Sequence, residues 1–242
     1  MEQQGFGLAP QARDAGFDGR QNDIRPIRPT PPNQNTDRQY NDKTGIIRFM
    51  FRRFTRRTGG SEKYATMLFP PKTPRLALRA WREKDLPEFA AMNADERVME
   101  FFPAPLTPEE SAQMLDRIRD EFSTEGFGVY AVERLSDGEL LGFTGLHRIT
   151  FSGGLEGQIE ILWRLRYDAW GQGYATEAAR ACVAFAAKLG IPELSAFAYV
   201  GNERSRRVMQ KIGMECIGEF NHPALPEGHP LRRHALYYIL TE

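Results

Sequence analysis

The chain has 242 residues, of which 41% are hydrophobic and 26% are charged, a composition that fits one globular domain with an appendage. Its 32 basic and 32 acidic residues cancel, so the overall charge does not indicate binding to nucleic acid or to an anionic membrane. No apolar run approaches the roughly 20 residues of a membrane-spanning helix, and no signal-peptide core follows Met1. These features predict a cytoplasmic protein.

The two cysteines indicate a reducing compartment. Cys182 lies on the apolar stripe of a predicted helix and Cys216 in a predicted strand, so both are expected to be buried core residues. This arrangement favours neither a disulfide nor a cysteine metal site. The four histidines lack the spacing of metal ligands, and no metal is predicted.

Residues 1–66 are predicted to form a disordered basic extension ahead of a domain at residues 67–242. Residues 1–43 are polar and rich in proline and have no apolar period, which is typical of disorder. The stretch at residues 45–57 reads GIIRFMFRRFTRR. It fits either a basic amphipathic helix that contacts membrane or nucleic acid, or a short marginal helix in a dispensable extension. We favour the second and expect neither partner.

Apolar periodicity and turn residues predict the order of elements in the domain: a strand, two helices, three strands, a helix, a strand, a helix and two strands. Thr107 and Glu110 form a capping box at the start of the second helix, and Pro108 occupies its first position. Asp137–Gly138 joins two aromatic-rich runs as a hairpin turn. This order predicts an α/β fold with a mixed sheet and helices on both faces.

Two glycines stand immediately before the third predicted helix, in the stretch AWGQGYATEAARACVAFA at residues 169–186. Gly171 and Gly173 precede apolar residues at helical spacing, and glycines there mark a tight turn or a close approach of backbone to a ligand. The start of a helix carries unpaired N–H groups and favours an anion. From this pattern alone, a plain turn and an anion site are equally supported.

The element order and two motifs resemble the GNAT superfamily of acyl-CoA-dependent N-acyltransferases, and most closely its RimJ/RimL-like branch. The motifs are IEILWRLRYDAWGQGYATEAARA at residues 159–181 and NERSRRVMQKIGMECIG at residues 202–218. The resemblance covers about residues 75–240. It implies a GNAT-like fold, with a central mixed, mostly antiparallel sheet that is flanked by helices and splayed between the fourth and fifth strands. We expect a monomer or a homodimer.

The resemblance implies acetyl-CoA as co-substrate, with its pyrophosphate on the N–H groups from Trp170 to Thr176 and its pantetheine arm beside the fourth strand. Asn202 is then expected to hydrogen-bond the pantetheine, although a simple N-cap role also suits it. Ser205 and Arg206 are expected near the thiol and phosphate ends. The cofactor-binding residues implied are Leu162, Trp163, Leu165, Trp170, Gly171, Gln172, Gly173, Tyr174, Ala175, Thr176, Asn202, Ser205 and Arg206.

Two positions depart from the family pattern. Asp168 stands where relatives often place Gln or Arg, and an acid there cannot donate to a phosphate. Met209 stands where many relatives have a Tyr that protonates the departing CoA thiolate. Ser205 is then the remaining candidate acid, unless the thiolate leaves unaided into an electropositive site.

The reaction implied is direct attack of a neutral amine on the thioester, with a backbone N–H near Leu162 or Trp163 polarising the carbonyl. Glu160 is the first candidate for the general base, because it is an acid in an otherwise apolar strand. An outward-facing position would explain it equally well. His147, at the end of the preceding strand, is the second candidate for the base. The alternative for His147 is a structural or exposed residue without a catalytic role.

Two aromatic residues give the sequence's indication of the amine acceptor. Phe101 and Phe102 indicate an apolar wall, which suits a protein or peptide N-terminus or an apolar amine more than a polycation. The predicted function is therefore acetyl transfer from acetyl-CoA to a primary amine, foremost an N-terminal α-amine. A small-molecule amine acetyltransferase and a non-catalytic acyl-CoA-binding module are the alternatives.

Overall fold

A mixed sheet of seven strands organises the computed structural model, which describes residues 68–152 and 154–241. The predictions for residues 1–66, including the helix at residues 45–57, lie outside the described residues. The elements are β1 (Leu76–Arg79), α1 (Leu86–Ala94), α2 (Pro108–Glu125), β2 (Val129–Arg134), β3 (Leu140–Arg148), β4 (Ile159–Leu165), α3 (Tyr174–Lys188), β5 (Glu193–Tyr199), α4 (Glu203–Lys211), β6 (Glu215–Asn221) and β7 (Arg233–Leu240). This order confirms the predicted one.

The strands lie in the order β1-β2-β3-β4-β5-β7-β6, and each neighbouring pair is antiparallel except β4 and β5. The parallel pair β4–β5 shares a single register position, Glu160 opposite Ser195, whereas β3 and β4 pair along seven positions. Beyond that one pair, β4 and β5 diverge. The sheet is therefore splayed between its fourth and fifth strands, as predicted.

Helices cover both faces of the sheet, and two consecutive residues of β3 show this. Phe143 packs against Phe89 of α1, with ring centroids 5.8 Å apart. Thr144, which points to the opposite face because side chains alternate along a strand, lies 3.9 Å from the sulfur of Cys182 on α3. The mixed sheet between two helical layers agrees with the predicted α/β class.

Local signals act as the sequence indicates. The Thr107 hydroxyl accepts a hydrogen bond from the Glu110 N–H at 3.1 Å, and the Glu110 carboxylate accepts one from the Thr107 N–H at 2.8 Å, which completes the capping box. Gly126 ends α2 in the left-handed conformation, with φ of 74°. Helix α2 is thereby fixed at both ends.

The two cysteines differ in burial, so the expectation that both are core residues is wrong for Cys216. Cys182 is buried, and this burial raises the pKa of its thiol to about 12. Cys216 is exposed, because it lies on β6, an edge strand on which only Phe220 is buried.

None of the helices in residues 68–152 and 154–241 is long and apolar enough to cross a membrane.

Glu177, in the first turn of α3, ties this helix to the chain that enters β1. Its carboxylate accepts hydrogen bonds from the Thr73 hydroxyl at 2.6 Å, the Arg75 N–H at 3.0 Å and the Arg75 guanidinium at 2.6 Å. Burial raises the pKa of Glu177, but these donors outweigh it and the pKa lies below its ordinary value. The start of α3 is therefore held in a fixed position beside β1.

Candidate active site

A cavity of about 440 Å³ opens where β4 and β5 diverge. Its walls come from β4, β5, the starts of α3 and α4, and the segment that follows α1. A volume of this size lies within the range of ligand pockets. The cavity brings together most of the residues predicted for the site, namely Phe101, Phe102, Glu160, Leu162, Trp163, Leu165, Trp170, Gly171, Gly173, Tyr174, Ala175, Thr176, Asn202 and Ser205.

The two glycines before α3 are required by the backbone itself. Gly171 and Gly173 have φ of 75° and 82°, in the left-handed region that side chains with a Cβ rarely adopt. A Cβ on Gly171 would meet no described atom within 4 Å, so crowding is not the reason for the glycine. The turn leaves open space in front of the helix start.

A row of unused donors faces that space. No described residue accepts a hydrogen bond from the N–H groups of residues 171–176, and the first amide that bonds in the helix is Glu177, whose N–H reaches the Gly173 carbonyl at 3.0 Å. The amide of Trp170 does not belong to the row, since it donates to the Tyr167 carbonyl at 3.1 Å. Six consecutive N–H groups at the positive end of a helix dipole fit a pyrophosphate.

Asp168 does not oppose an anion at this place, although it precedes the glycine turn. Its side chain is 66% exposed and pairs with Arg166 at 2.8 Å. The hydrogen bond from Arg166 outweighs partial burial and lowers the pKa of Asp168. The guanidinium of Arg75 lies on the helix-start side, donating to the Gln172 carbonyl at 3.0 Å. The local field at the turn therefore remains suited to an anion.

Three predicted residues lie outside the cavity wall: Gln172, Arg206 and His147. The Gln172 side chain donates to the Asp168 carbonyl at 2.8 Å. Arg206 donates to the Tyr237 hydroxyl at 3.2 Å and to the Val200 carbonyl at 2.9 Å, and so joins α4 to the end of β5. Their side chains stabilise the frame around the cavity.

Glu160 is the only acidic residue of the cavity wall within the described chain. It is 8% exposed, and burial raises the pKa of its carboxyl to about 7, an effect that the nearby His147 reduces and Glu121 increases. The outward-facing alternative for Glu160 is wrong, since the side chain is buried. At neutral pH this group both accepts and releases a proton readily.

His147 lies directly across from Glu160 on β3, behind the cavity wall. Its Nδ1 is 2.6 Å from a carboxylate oxygen of Glu121 on α2. Burial lowers the pKa of His147, but the hydrogen bond and charge of Glu121 outweigh burial, so the pKa is raised above its ordinary value. Glu160, His147 and Glu121 thus form one cluster of interacting charges.

The start of α4 provides the opposite wall. The Asn202 side-chain oxygen accepts a hydrogen bond from the Ser205 N–H at 3.1 Å, so Asn202 is the N-cap of this helix. Ser205 is half-buried and lines the cavity. Met209, one turn further on, also lines the cavity and is 2% exposed. An apolar thioether therefore occupies the position at which the family resemblance implies a tyrosine.

The remaining wall is aromatic, and it contains residues that the sequence analysis missed. Phe101 stacks on Tyr199 with ring centroids 5.7 Å apart, and Phe102 lies under the guanidinium of Arg164 at 4.2 Å. Arg164 occupies the same face of β4 as Glu160, because residues two apart along a strand point the same way. This spacing was the signal available in the sequence for Arg164.

Two histidines of the cavity wall were also not predicted from the sequence. His222 and His234 line the cavity with their rings 5.0 Å apart, next to Phe197. Burial and the neighbouring His234 lower the pKa of His222 to about 3, and burial lowers the pKa of His234. Both rings are neutral at pH 7. In the described parts of the chain, no group of three or more His, Cys, Asp or Glu residues has the geometry of a metal site.

The splayed mixed sheet, with a glycine turn and free amides at the helix beside the opening, defines an acyltransferase of the GNAT class. The family model described as an acetyltransferase (GNAT) domain matches residues 75–215, more than half of the chain. The chain belongs to this family, and its members use acetyl-CoA.

Known proteins agree with this assignment. The chain is 30% identical over 172 residues to the uncharacterized N-acetyltransferase YnaD of Bacillus subtilis (strain 168), covering 70% of this chain and 96% of YnaD. A GNAT-family acetyltransferase structure from Bacillus anthracis matches with a TM-score of 0.60 and 26% identity, covering 70% of this chain and 97% of that one.

The RimL structure with coenzyme A, described as a ribosomal L7/L12 alpha-N-protein acetyltransferase, matches with a TM-score of 0.58 and 17% identity. It covers 72% of this chain and 98% of RimL. Identity at that level establishes the shared fold alone. The structural neighbours include other GNAT acetyltransferases as well, so the RimJ/RimL-like branch stays a prediction.

The burial of Glu160 predicts a specific dependence of stability on pH. A carboxyl whose pKa rises from 4.5 to about 7 on folding stabilises the fold at low pH, and that contribution is lost as the pH rises through 7. Glu160→Gln should therefore unfold at the same temperature as wild type near pH 4.5 and at a higher one at pH 8. The gain should be at most about 3 kcal/mol.

Thermal melting of both proteins across this pH range measures the difference. Glu203→Gln, which removes an exposed carboxyl on α4, is the control, and its difference in melting temperature from wild type should not grow between pH 4.5 and pH 8. A stability difference that is constant from pH 4.5 to pH 8 would show that Glu160 is not a buried acid with a raised pKa.

Proposed function

We propose that this GNAT acyltransferase transfers the acetyl group of acetyl-CoA to a primary amine, foremost a protein or peptide N-terminal α-amine, by direct attack on the thioester. The observation that carries the proposal is the row of six N–H groups at residues 171–176, which have no acceptor among the described residues and lie at the edge of the opening between β4 and β5. Acetyl-CoA with its pyrophosphate at these N–H groups and its thioester beside Glu160 would occupy this one cavity.

The pyrophosphate would be held by the backbone of residues 171–176. Gln172 takes part through its N–H, since its side chain is held by Asp168. Arg206 supports the start of α4, because its guanidinium donates to protein atoms. Asn202 and Ser205 face the cavity and would contact the pantetheine end.

The divergence of β4 from β5 leaves an edge for the pantetheine arm. Alternate N–H and C=O groups of a strand point to each neighbour, and on the β5 side β4 has only the Glu160–Ser195 pair. The backbone of Leu162 and Trp163 comes just after that pair, at the cavity wall. One of their N–H groups would polarise the thioester carbonyl as negative charge develops on its oxygen.

Glu160 is proposed as the general base. The attacking amine must lose a proton as the C–N bond forms, and a carboxylate with a pKa of about 7 accepts it at neutral pH. His147 sits behind Glu160 and is proposed as a positioning residue whose charge lowers the pKa of Glu160. His147 replaces Glu160 as base only if Glu160 proves dispensable.

Departure of the CoA thiolate needs a proton or a positive environment. Met209 supplies neither. Ser205 is the hydroxyl of this wall, and the positive end of the α4 dipole lies beside it. Arg204 and Arg207 lie at the same helix start, each in a solvent-exposed ion pair, with Glu100 and Glu203. We propose that the thiolate leaves toward these groups and takes its proton from Ser205 or from water.

An N-terminal α-amine suits this site better than a lysine side chain. Its pKa near 8 leaves much more of it neutral at pH 7 than a lysine with a pKa near 10.4, so a base as weak as a carboxylate suffices. Phe101 and Phe102 give the acceptor an apolar wall. We also propose that the protein belongs to the RimJ/RimL-like branch and that residues 67–242 form its catalytic domain. We further propose that it is cytoplasmic and is a monomer or a homodimer.

The proposal predicts stabilisation by acetyl-CoA followed by turnover. At a hundredfold excess over Kd, a ligand that binds only the folded state adds about 2.7 kcal/mol to stability and raises the melting temperature. Release of free thiol should then follow addition of peptides with a free N-terminus, and should be absent with the same peptides N-acetylated. Stabilisation without turnover on any amine would favour a non-catalytic binding module, and the absence of any shift would contradict the whole proposal.

The proton-acceptor role of Glu160 predicts a kinetic effect. Glu160→Gln should lower kcat by about 10²- to 10⁴-fold at pH 7, with the KM for acetyl-CoA nearly unchanged, because the backbone holds the co-substrate. The deficit should shrink at high pH, where the amine is neutral without help. Pre-steady-state and steady-state thiol release measure it, with Glu88→Gln, which removes an exposed carboxyl of α1 outside the cavity wall, as the control. Identical pH–rate profiles for wild type and Glu160→Gln would remove Glu160 from the mechanism.

A further inference from the structure

Arg164 is a buried cation in the cavity wall. It is 7% exposed, and no carboxylate in the described ranges lies within ion-pair distance of it. The other arginines of the wall each have an acidic partner: Arg97 pairs with Asp95, Arg204 with Glu100 and Arg207 with Glu203. Arg164 differs from them in lacking one.

The guanidinium of Arg164 is held in place with donors to spare. Its Nη1 donates to the Asn93 side-chain oxygen at 2.7 Å, and Asn93 is oriented in turn by a hydrogen bond to Ser111 at 3.3 Å. Its Nε is buried and has no acceptor among the residues described. Phe102 and Phe143 lie at 4.2 and 5.3 Å from the charge. Of five N–H donors, one thus has a protein acceptor.

The cavity explains this arrangement better than packing does. An unpaired charge away from water is costly, and burial lowers the pKa of Arg164 to about 10 because no anion offsets it. The planar fork of an arginine matches a carboxylate, which accepts two parallel hydrogen bonds. With aromatic rings near its faces and Asn93 on Nη1, the Nε and Nη2 donors are left for such a partner.

We propose that Arg164 binds a carboxylate of the acceptor, so that the enzyme selects amines which also carry a carboxylate. This inference rests on the proposed acetyl transfer to an amine. Glu160 and Arg164 lie on one face of β4 with Cα atoms about 13 Å apart, and Leu162 lies between them on the same face. One end of the acceptor would lie at the base and the other at the cation.

Two acceptors offer this chemistry: a free amino acid whose carboxylate is several bonds away from the reacting amine, and a peptide through an acidic side chain near its N-terminus. Both would satisfy the buried fork, whereas a neutral acceptor would leave it unpaired. Sites that leave a buried polar group unpaired reject the wrong substrate strongly. The discrimination should therefore be large in the wild-type enzyme.

The first measurement compares kcat/KM for matched acceptors with wild-type enzyme. Amino acids are paired with their methyl esters, and peptides beginning with Asp or Glu with their Asn and Gln counterparts. We expect a preference of about tenfold or more for the carboxylate member of at least one set, as for a hydrogen-bonded charge. The set that shows the preference identifies the acceptor as a free amino acid or as an acidic peptide.

The second measurement removes the charge. Arg164→Gln should reduce the preference to about one while leaving the KM for acetyl-CoA unchanged, and Arg164→Lys should keep part of it because charge remains without the fork. Arg119→Gln on α2, outside the cavity wall, is the control and should keep the wild-type preference. Thermal melting checks that each variant is folded.

The outcomes separate this inference from the acetyl transfer itself. Turnover with equal kcat/KM for all matched pairs, or a preference that survives in Arg164→Gln, would overturn the role of Arg164 and leave the acetyl transfer standing. Absence of turnover on every amine would contradict the acetyl transfer. Calorimetry with N-acetylated amino acids and peptides against their esters and amides then still decides, since equal affinities would overturn the carboxylate site and a preference lost in Arg164→Gln would support it.

Discussion

The separation of β4 from β5 after a single paired position creates the cavity and determines which elements surround it. A continuous sheet would use the backbone donors and acceptors of both strands, and no cavity would form between them. Because the strands part, the helices that follow each of them begin at the same opening, and the N–H groups of residues 171–176, from which no described residue accepts a hydrogen bond, lie at its edge. Glu177 fixes one of these helix starts to β1, so the opening has a rigid rim.

The buried ionisable residues of β4 lower the stability of the fold at the place where the proposed site lies. A strand in the middle of a sheet is most stable with apolar residues, yet one face of β4 carries Glu160 and Arg164, both nearly inaccessible to solvent. Burial raises the pKa of Glu160 and lowers the pKa of Arg164, and both shifts favour the neutral form. Groups shifted in this way are typical of sites that handle protons or recognise charged ligands. Their positions, four residues apart on one face, put the proposed proton acceptor and the proposed carboxylate site at opposite ends of one wall.

The sequence predicted the order of the elements well, because its signals are local. The capping box at Thr107, the hairpin glycine at residue 138 and the glycine turn before α3 are each determined by a few neighbouring residues. The splay between β4 and β5 came from family resemblance, since no local pattern announces that two strands separate. Burial of Cys216 was predicted wrongly because alternation alone does not distinguish an edge strand from a central one.

Side-chain partnerships were beyond the sequence for a physical reason. His147 meets Glu121 across 26 positions of the chain, and Arg164 meets Asn93 across 71, so only the folded sheet brings them together. The same holds for the neutral pair His222 and His234. The candidate base at residue 160 could be named from an acid in an apolar strand, whereas its raised pKa depends on burial that the fold supplies.

The proposed acetyl transfer requires that the amides of residues 171–176 bind the pyrophosphate of CoA. Amide chemical shifts of isotopically labelled protein, followed during titration with CoA and separately with pantetheine, test it most directly. We expect CoA to shift the Gly171 and Gly173 amide signals downfield, because charge-assisted hydrogen bonds form, and pantetheine, which lacks the pyrophosphate, to leave them unshifted. Saturating CoA binding with both glycine amides unmoved would contradict it.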